Sequence, residues 1–152
     1  MKNLDLRHII CIILFLASNY AVIAQELFLY NQEGNAAAYF DLQDEDQTIY
    51  LINGKATAYL FLDKPDDLFL VYGFNGVHIG WYKNGMLFDN EGFLVACIEE
   101  AGCNITRGEP FMLPFKQLKP FKSFRDIPSF KPSFIEVYSK RLLGDFLLDG
   151  LR

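Results

Sequence analysis

One short pattern occurs four times between residues 26 and 100, and it restricts the possible folds more than any other feature of the sequence. Each copy centres on a glycine that follows Asn or Glu, with an aromatic residue four positions before it and a small residue four positions after it. The four central glycines are Gly34, Gly54, Gly76 and Gly92. A recurrence of this kind predicts four copies of one supersecondary unit.

Each copy is predicted to be a β-hairpin that turns at its central glycine. Asn53-Gly54 is typical of a two-residue type I′ turn, because both central residues of that turn need positive φ. The flanking residues are rich in β-branched and aromatic side chains. With such a turn, Tyr50 lies diagonal to Tyr59 on one face of the hairpin, so we expect the two rings to meet. The small residues on the other face would let another backbone approach closely.

A lone hairpin is not stable in water, so the four hairpins must share one core. Residues 49–60, 71–82 and 87–92 carry the pattern most clearly, and on them the segment 26–100 resembles the four-fold beta flower family. The resemblance implies a small bacterial domain of four hairpin repeats with pseudo-four-fold symmetry. It implies no particular activity.

The first 24 residues are predicted to be a secretory signal peptide. Lys2 and Arg7 precede an apolar run at residues 9–17, and Val22-Ile23-Ala24 is typical of a cleavage site before Gln25. The alternative of an uncleaved membrane anchor is disfavoured because a bilayer needs about 20 apolar residues. A lipoprotein would use Cys11, which lies before the apolar run ends. We therefore expect an exported protein, periplasmic or extracellular.

The chain beyond the repeats has a period of three. Apolar residues from Phe115 to Phe130 recur at every third position, and the residue after each of them is usually Lys or Arg. Polyproline II has three residues per turn, so this pattern predicts an extended tail with one apolar and one basic edge. After it, Ser133 to Glu136 is typical of a capping box that opens a short helix ending near residue 143.

These patterns divide the chain into a signal peptide (1–24), a four-hairpin domain (25–106), an extended tail (107–132) and a short C-terminal helical segment (133–152). The fold class is therefore all-β, with a polyproline II-like tail and a short C-terminal helix. Residues 25–106 carry a net charge of −10 and residues 107–152 a net charge of +4. We expect the tail to dock on its own domain by burying four rings: Phe115, Phe121, Phe124 and Phe130.

Few residues are candidates for chemistry. Cys97 and Cys103 are a candidate disulfide, with two reduced thiols as the alternative, because an oxidising compartment favours closure of the short loop between them. His78 is the only histidine after residue 24. Together with Asp89 or Glu91, it would form the only plausible acid–base set. Nothing in the sequence predicts a metal site, a cofactor, a P-loop or a nucleophile elbow.

The sequence thus favours an exported, non-catalytic interaction or structural module whose partner is an unknown protein or another component of the cell envelope. One alternative is a small secreted hydrolase or toxin-like enzyme that uses His78. A further alternative is membrane-surface binding, and we expect any membrane contact to involve the basic, Phe-rich tail alone. The net negative charge argues against a nucleic-acid partner.

Overall fold

The computed structural model of the chain describes residues 26–64, 66, 68–103 and 112–152. The predicted signal peptide at residues 1–24 lies outside the described residues. The strands and the helix are β1 (Glu26–Tyr30), β2 (Ala36–Asp41), β3 (Thr48–Leu51), β4 (Ala56–Asp63), β5 (Leu68–Gly73), β6 (His78–Lys83), β7 (Met86–Asp89), β8 (Phe93–Cys97), β9 (Ile135–Tyr138) and α1 (Leu143–Leu148). Two short 3-10 helices lie at Glu99–Ala101 and Asp149–Leu151.

Strands β1 to β8 form one antiparallel sheet in chain order. A pairing between Tyr30 and Cys97 joins β8 to β1, so the sheet closes on itself. Each repeat supplies one hairpin of this closed sheet, and β9 adds to β8 in the parallel direction. The predicted all-β fold of four hairpin repeats is confirmed, and closure explains how four hairpins share one core.

The hairpin turns differ from the predicted type I′ geometry. At the second tip only Gly54 has a positive φ, of 82°. The amide of Gly54 donates to the Leu51 carbonyl at 2.8 Å, and the amide of Leu51 donates to the Lys55 carbonyl at 2.9 Å. This is a three-residue loop in which the glycine forms a bulge. Two consecutive positive φ values, 51° and 78°, occur instead at Asn84-Gly85, between β6 and β7.

Several aromatic residues of the repeat pattern pair across repeat boundaries. Tyr39 of β2 stands directly opposite Tyr50 of β3, and their ring centroids are 5.4 Å apart. Tyr59 stacks on Tyr72 in the same way at 6.2 Å. The expected contact between Tyr50 and Tyr59 is therefore wrong, because directly opposed residues lie closer than diagonal ones. We call these pairs at repeat boundaries the aromatic junctions: Tyr39/Tyr50, Tyr59/Tyr72 and Trp81/Phe88.

The other face of the sheet packs on helix α1. Phe146 and Leu147 of α1 are fully buried in one cluster with the small residues Ala38 and Ala58. A Cβ atom added to Gly80 would lie 2.8 Å from Cζ of Phe146. The small residues thus admit a large side chain from the C-terminus, whereas the sequence pattern predicted the close approach of a backbone.

The C-terminal segment departs from the prediction in its position. Residues 135–138 form strand β9, and the helix begins at Leu143, where the capping-box prediction had it end. The amide of Ile135 donates to the Gly92 carbonyl at 2.9 Å, so a contact with the fourth hairpin replaces the predicted helical turn. The β-branched Ile135 and Val137 suit a strand. No helix in the described part of the chain is long and apolar enough to cross a membrane.

Candidate functional site

The described part of the tail before β9, residues 112–134, lies along the domain, and we call it the strap. Its backbone bonds to three hairpin turns at intervals of nine residues. The donor amides and acceptor carbonyls are Gln117 to Gly54 at 2.8 Å, Asp126 to Gly76 at 2.9 Å and, at the start of β9, Ile135 to Gly92 at 2.9 Å. Nine residues are three turns of polyproline II, so the strap presents the same edge to each successive hairpin.

The turn glycines are also needed for the strap to approach. A Cβ atom added to Gly54 would collide with the carbonyl oxygen of Phe115, and one added to Gly76 would collide with that of Phe124. All four predicted turn glycines, Gly34 included, lie at turns and have φ between 79° and 90°. At Gly54 and Gly76 the glycine therefore serves two purposes, a positive φ and contact with another backbone.

The basic edge of the strap faces the domain. Nζ of Lys116 lies 2.9 Å from carboxylate oxygens of both Glu26 and Asp41. Burial alone would lower the pKa of Lys116, but its hydrogen bonds to these two carboxylates outweigh that effect and raise the pKa. The side chain is therefore charged at neutral pH and stays paired with the acidic end of the first hairpin.

A second group of ion pairs holds the middle of the strap to the loop between β2 and β3. Nζ of Lys119 lies 2.7 Å from Asp44, and Nζ of Lys122 lies 2.5 Å from Asp46. Burial works to raise the pKa of Asp44, but hydrogen bonds from Lys119 and Thr48 outweigh it and hold the pKa below its usual range. Each such exposed pair contributes only about 0–1 kcal/mol to stability. The set therefore determines the register of the strap on the domain more than it stabilises the docked strap.

The same cations lie over the aromatic surface of the domain. Nζ of Lys122 is 4.3 Å from the ring centroid of Tyr59, and the Arg125 guanidinium is 3.8 Å from that of Phe61. Cation–π contacts of this kind contribute about 0.5–2 kcal/mol, depending on exposure. Burial raises the pKa values of Tyr59 and Tyr72, so both phenols stay neutral beneath the cations.

Positions nine residues apart on the basic edge occupy successive aromatic junctions. Lys116 lies 5.8 Å and 5.9 Å from the two rings of Tyr39/Tyr50, and Arg125 lies 5.9 Å from Tyr72 of the next junction. At the third junction the equivalent residue is Phe134, whose ring centroid lies 4.8 Å from that of Phe88 and 6.1 Å from that of Trp81. The strap thus repeats its contacts in step with the hairpins.

The apolar edge of the strap points away from the domain. Every third side chain from residue 112 to residue 130 is at least 92% exposed, and we call this row the apolar ridge: Met112, Phe115, Leu118, Phe121, Phe124, Ile127 and Phe130. The prediction that Phe115, Phe121, Phe124 and Phe130 dock the tail is therefore wrong. The domain surface is acidic and covered with tyrosines, so ion pairs and cation–π contacts favour the basic edge there.

The candidate acid–base set does not form a site. His78 is buried, its Nδ1 accepts a hydrogen bond from the Ser129 amide at 3.3 Å, and its Nε2 makes no hydrogen bond within the described residues. Burial lowers the pKa of His78 to about 4. Asp89 instead caps its own turn, because its Oδ1 accepts from the amides of Glu91 and Phe93, both at 3.0 Å. His78 is therefore a neutral residue beneath the strap.

Asp89 and Glu91 line a separate cavity of about 560 Å³ between the fourth turn and the segment after β9. Lys140 and Arg141 complete its charged lining, and His78 is not part of it. Within the described residues, no group of three or more His, Cys, Asp or Glu side chains could hold a metal ion.

Cys97 and Cys103 are joined by a disulfide, with their Cα atoms 6.6 Å apart. The bond closes the loop that contains the 3-10 helix at Glu99–Ala101. It ties the end of β8 to the chain that leads toward the strap. Cys97 also pairs with Tyr30 where the sheet closes.

Comparison with known proteins agrees with this architecture. The family model for the 4-fold beta flower protein matches residues 28–147, a span that includes nearly all of the four hairpins, the strap and most of α1. No curated protein and no solved structure is similar enough to count as a match. Because the family model covers most of the sequence, the chain belongs to the 4-fold beta flower protein family.

Proposed function

We propose that this protein is an exported, non-catalytic interaction module that displays the apolar ridge to a partner in the cell envelope. The observation that carries the proposal is the exposure of seven large apolar side chains at regular positions. Single apolar residues scattered over a surface are normal, but a regular row of seven fully exposed ones favours an interaction site. The strap's backbone bonds and ion pairs hold this row in a fixed order.

Several features support the non-catalytic part of the proposal. The one histidine in the described residues is buried, neutral and outside the cavity lined by carboxylates. A general acid or base must reach the proton that it transfers, and the Nε2 atom of His78 is covered. The alternative of a His78-dependent hydrolase therefore lacks an accessible catalytic group.

Export is supported by the signal-like residues 1–24 and by the disulfide, which suits an oxidising compartment. The intact mass of the exported protein tests this part. We expect a chain that begins at Gln25. A mass that retains residues 1–24 would contradict export with cleavage.

Photo-crosslinking in the producing cell tests the display function. A photoreactive phenylalanine analogue in place of Phe121 should give defined crosslinked products in the cell envelope. The third edge of the strap is polar and includes Gln117 and Ser123. The same analogue at Gln117 is the matched control and should give far fewer crosslinked products. Equal labelling from both positions, or none from Phe121, would contradict the proposal.

A further inference from the structure

The geometry of the strap fixes the direction in which the apolar ridge points. In polyproline II the three edges lie about 120° apart around the chain axis. The basic edge faces the domain through Lys116, Lys119 and Lys122. The ridge, on a different edge of the chain, therefore points away from the domain, with all seven side chains in one row.

The spacing of the ridge favours a fluid partner over a folded one. Neighbouring ridge side chains are about 9 Å apart along the strap, and the row has a contour length of about 56 Å. A folded protein would need a separate pocket at each interval, whereas lipid chains fill the gaps between the side chains by themselves. The ridge also lacks Trp, Tyr and Arg, the residues that dominate protein–protein hot spots.

Charge indicates which lipid surface would suit the ridge. Four lysines of the strap are already paired with carboxylates of the domain, as in Lys119 with Asp44 and Lys131 with Asp66, and Arg125 lies over the Phe61 ring. Residues 25–152 have a net charge of −6, so an anionic surface would repel the protein. The expected attraction therefore comes from apolar side chains alone.

We propose that the apolar ridge is a peripheral membrane-binding site that inserts into the interface of a zwitterionic lipid bilayer. The proposal rests on the display function above and names its partner. A Phe side chain reaches a depth comparable to that of interfacial helices, whose apolar faces enter by about 5–10 Å. Several rings that insert together would hold the domain on the surface without any segment that spans the membrane.

Sedimentation with phosphatidylcholine vesicles tests the proposal on the exported protein. Wild type should bind, and Phe121→Ser/Phe124→Ser should bind at least about tenfold more weakly, because each ring contributes several-fold through burial of its apolar surface. The matched control Gln117→Ser/Ser123→Ala, on the polar edge, should bind as wild type does. Both ridge rings are exposed, so equal melting temperatures will show that the variants are folded.

A fluorescence measurement locates the contact. Phe121→Trp should show a blue shift in emission on addition of the vesicles, while Gln117→Trp should show none. Binding should persist at high salt and weaken when phosphatidylglycerol is added. Absence of binding, or binding only to anionic vesicles that salt abolishes, would overturn the membrane proposal. If crosslinking from Phe121 persists in that case, the display function survives and its partner is a protein.

Discussion

Alanine at Gly76 should release the strap from the third hairpin and cost more stability than its backbone conformation alone explains. Gly76 has φ of 89°, and a non-glycine residue with positive φ costs about 1–2 kcal/mol. Its new Cβ would also collide with the Phe124 carbonyl oxygen and displace the strap there. Displacement would break the hydrogen bonds from Asp126 to Gly76 and from Ser123 to Phe74, each contributing about 0.5–1.5 kcal/mol.

The expected loss is therefore about 2–5 kcal/mol for Gly76→Ala. Gly102→Ala is the matched control, because Gly102 has φ of 72° and nothing within 4 Å of an added Cβ. That variant should lose only about 1–2 kcal/mol. Urea unfolding measures both losses, and trypsin cleavage after Lys122 and Arg125 reports release of the strap. Equal losses in the two variants, with unchanged cleavage, would refute the account of strap contact.

Three further predictions concern the buried residues His78 and Phe146 and the disulfide. Burial lowers the pKa of His78 from 6.5 to about 4, which favours the neutral side chain in the folded state. The free energy of unfolding should therefore be at its full value above pH 6.5 and fall by up to about 3 kcal/mol as the pH drops toward 4. Urea unfolding of His78→Asn should lack this pH dependence. Phe146→Ala should lower the free energy of unfolding by about 3–5 kcal/mol, or unfold the domain, because the ring is fully buried; a loss below about 1 kcal/mol would contradict this packing. Reduction of the Cys97–Cys103 bond should lower the free energy of unfolding by about 2 kcal/mol, the value expected for a seven-residue loop. Thermal melting with and without reductant measures this loss.

The hairpin architecture was predictable because the signals for it are local. A glycine with flanking β-formers specifies a turn and two strands from residues that are close in sequence. The small residues at Gly80 and its equivalents also predicted a close approach, although not that Phe146 would make it. Which residue fills such a space depends on contacts far apart in the chain, and the sequence pattern does not encode them.

Apolar burial alone did not predict which edge of the strap faces the domain. The period of three indicated both edges, but choosing between them required the positions of Glu26, Asp41 and Asp44 beside the aromatic junctions. One signal was nonetheless present, because nine residues separate Lys116 from Arg125 and Arg125 from Phe134. Read as three polyproline II turns per hairpin, that spacing would have placed the basic edge against the repeats.

The helix prediction failed for a related reason. A capping box describes how a helix can begin when the segment is solvated, whereas here the Ser133 carbonyl lies against Gly92 and the Ile135 amide is bonded to that turn. The tertiary contact overrides the local preference. The actual helix, α1, begins after Leu142, with no side-chain cap, and is stabilised by burial of its apolar side chains.

Residue-resolved amide hydrogen exchange of the exported protein tests most directly whether the strap docks by its basic edge in a nine-residue register. The account predicts slow exchange at Gln117, Asp126 and Ile135, whose amides donate to the turn carbonyls. The Ser123 and Ser129 amides, which donate to Phe74 and His78, should also be protected. The ridge amides of Leu118 and Phe121 should exchange nearly as fast as those of an unstructured peptide. Uniformly fast exchange from residue 112 to residue 134 would contradict docking, and fast exchange at Gln117, Asp126 and Ile135 with protection elsewhere in the strap would contradict the register.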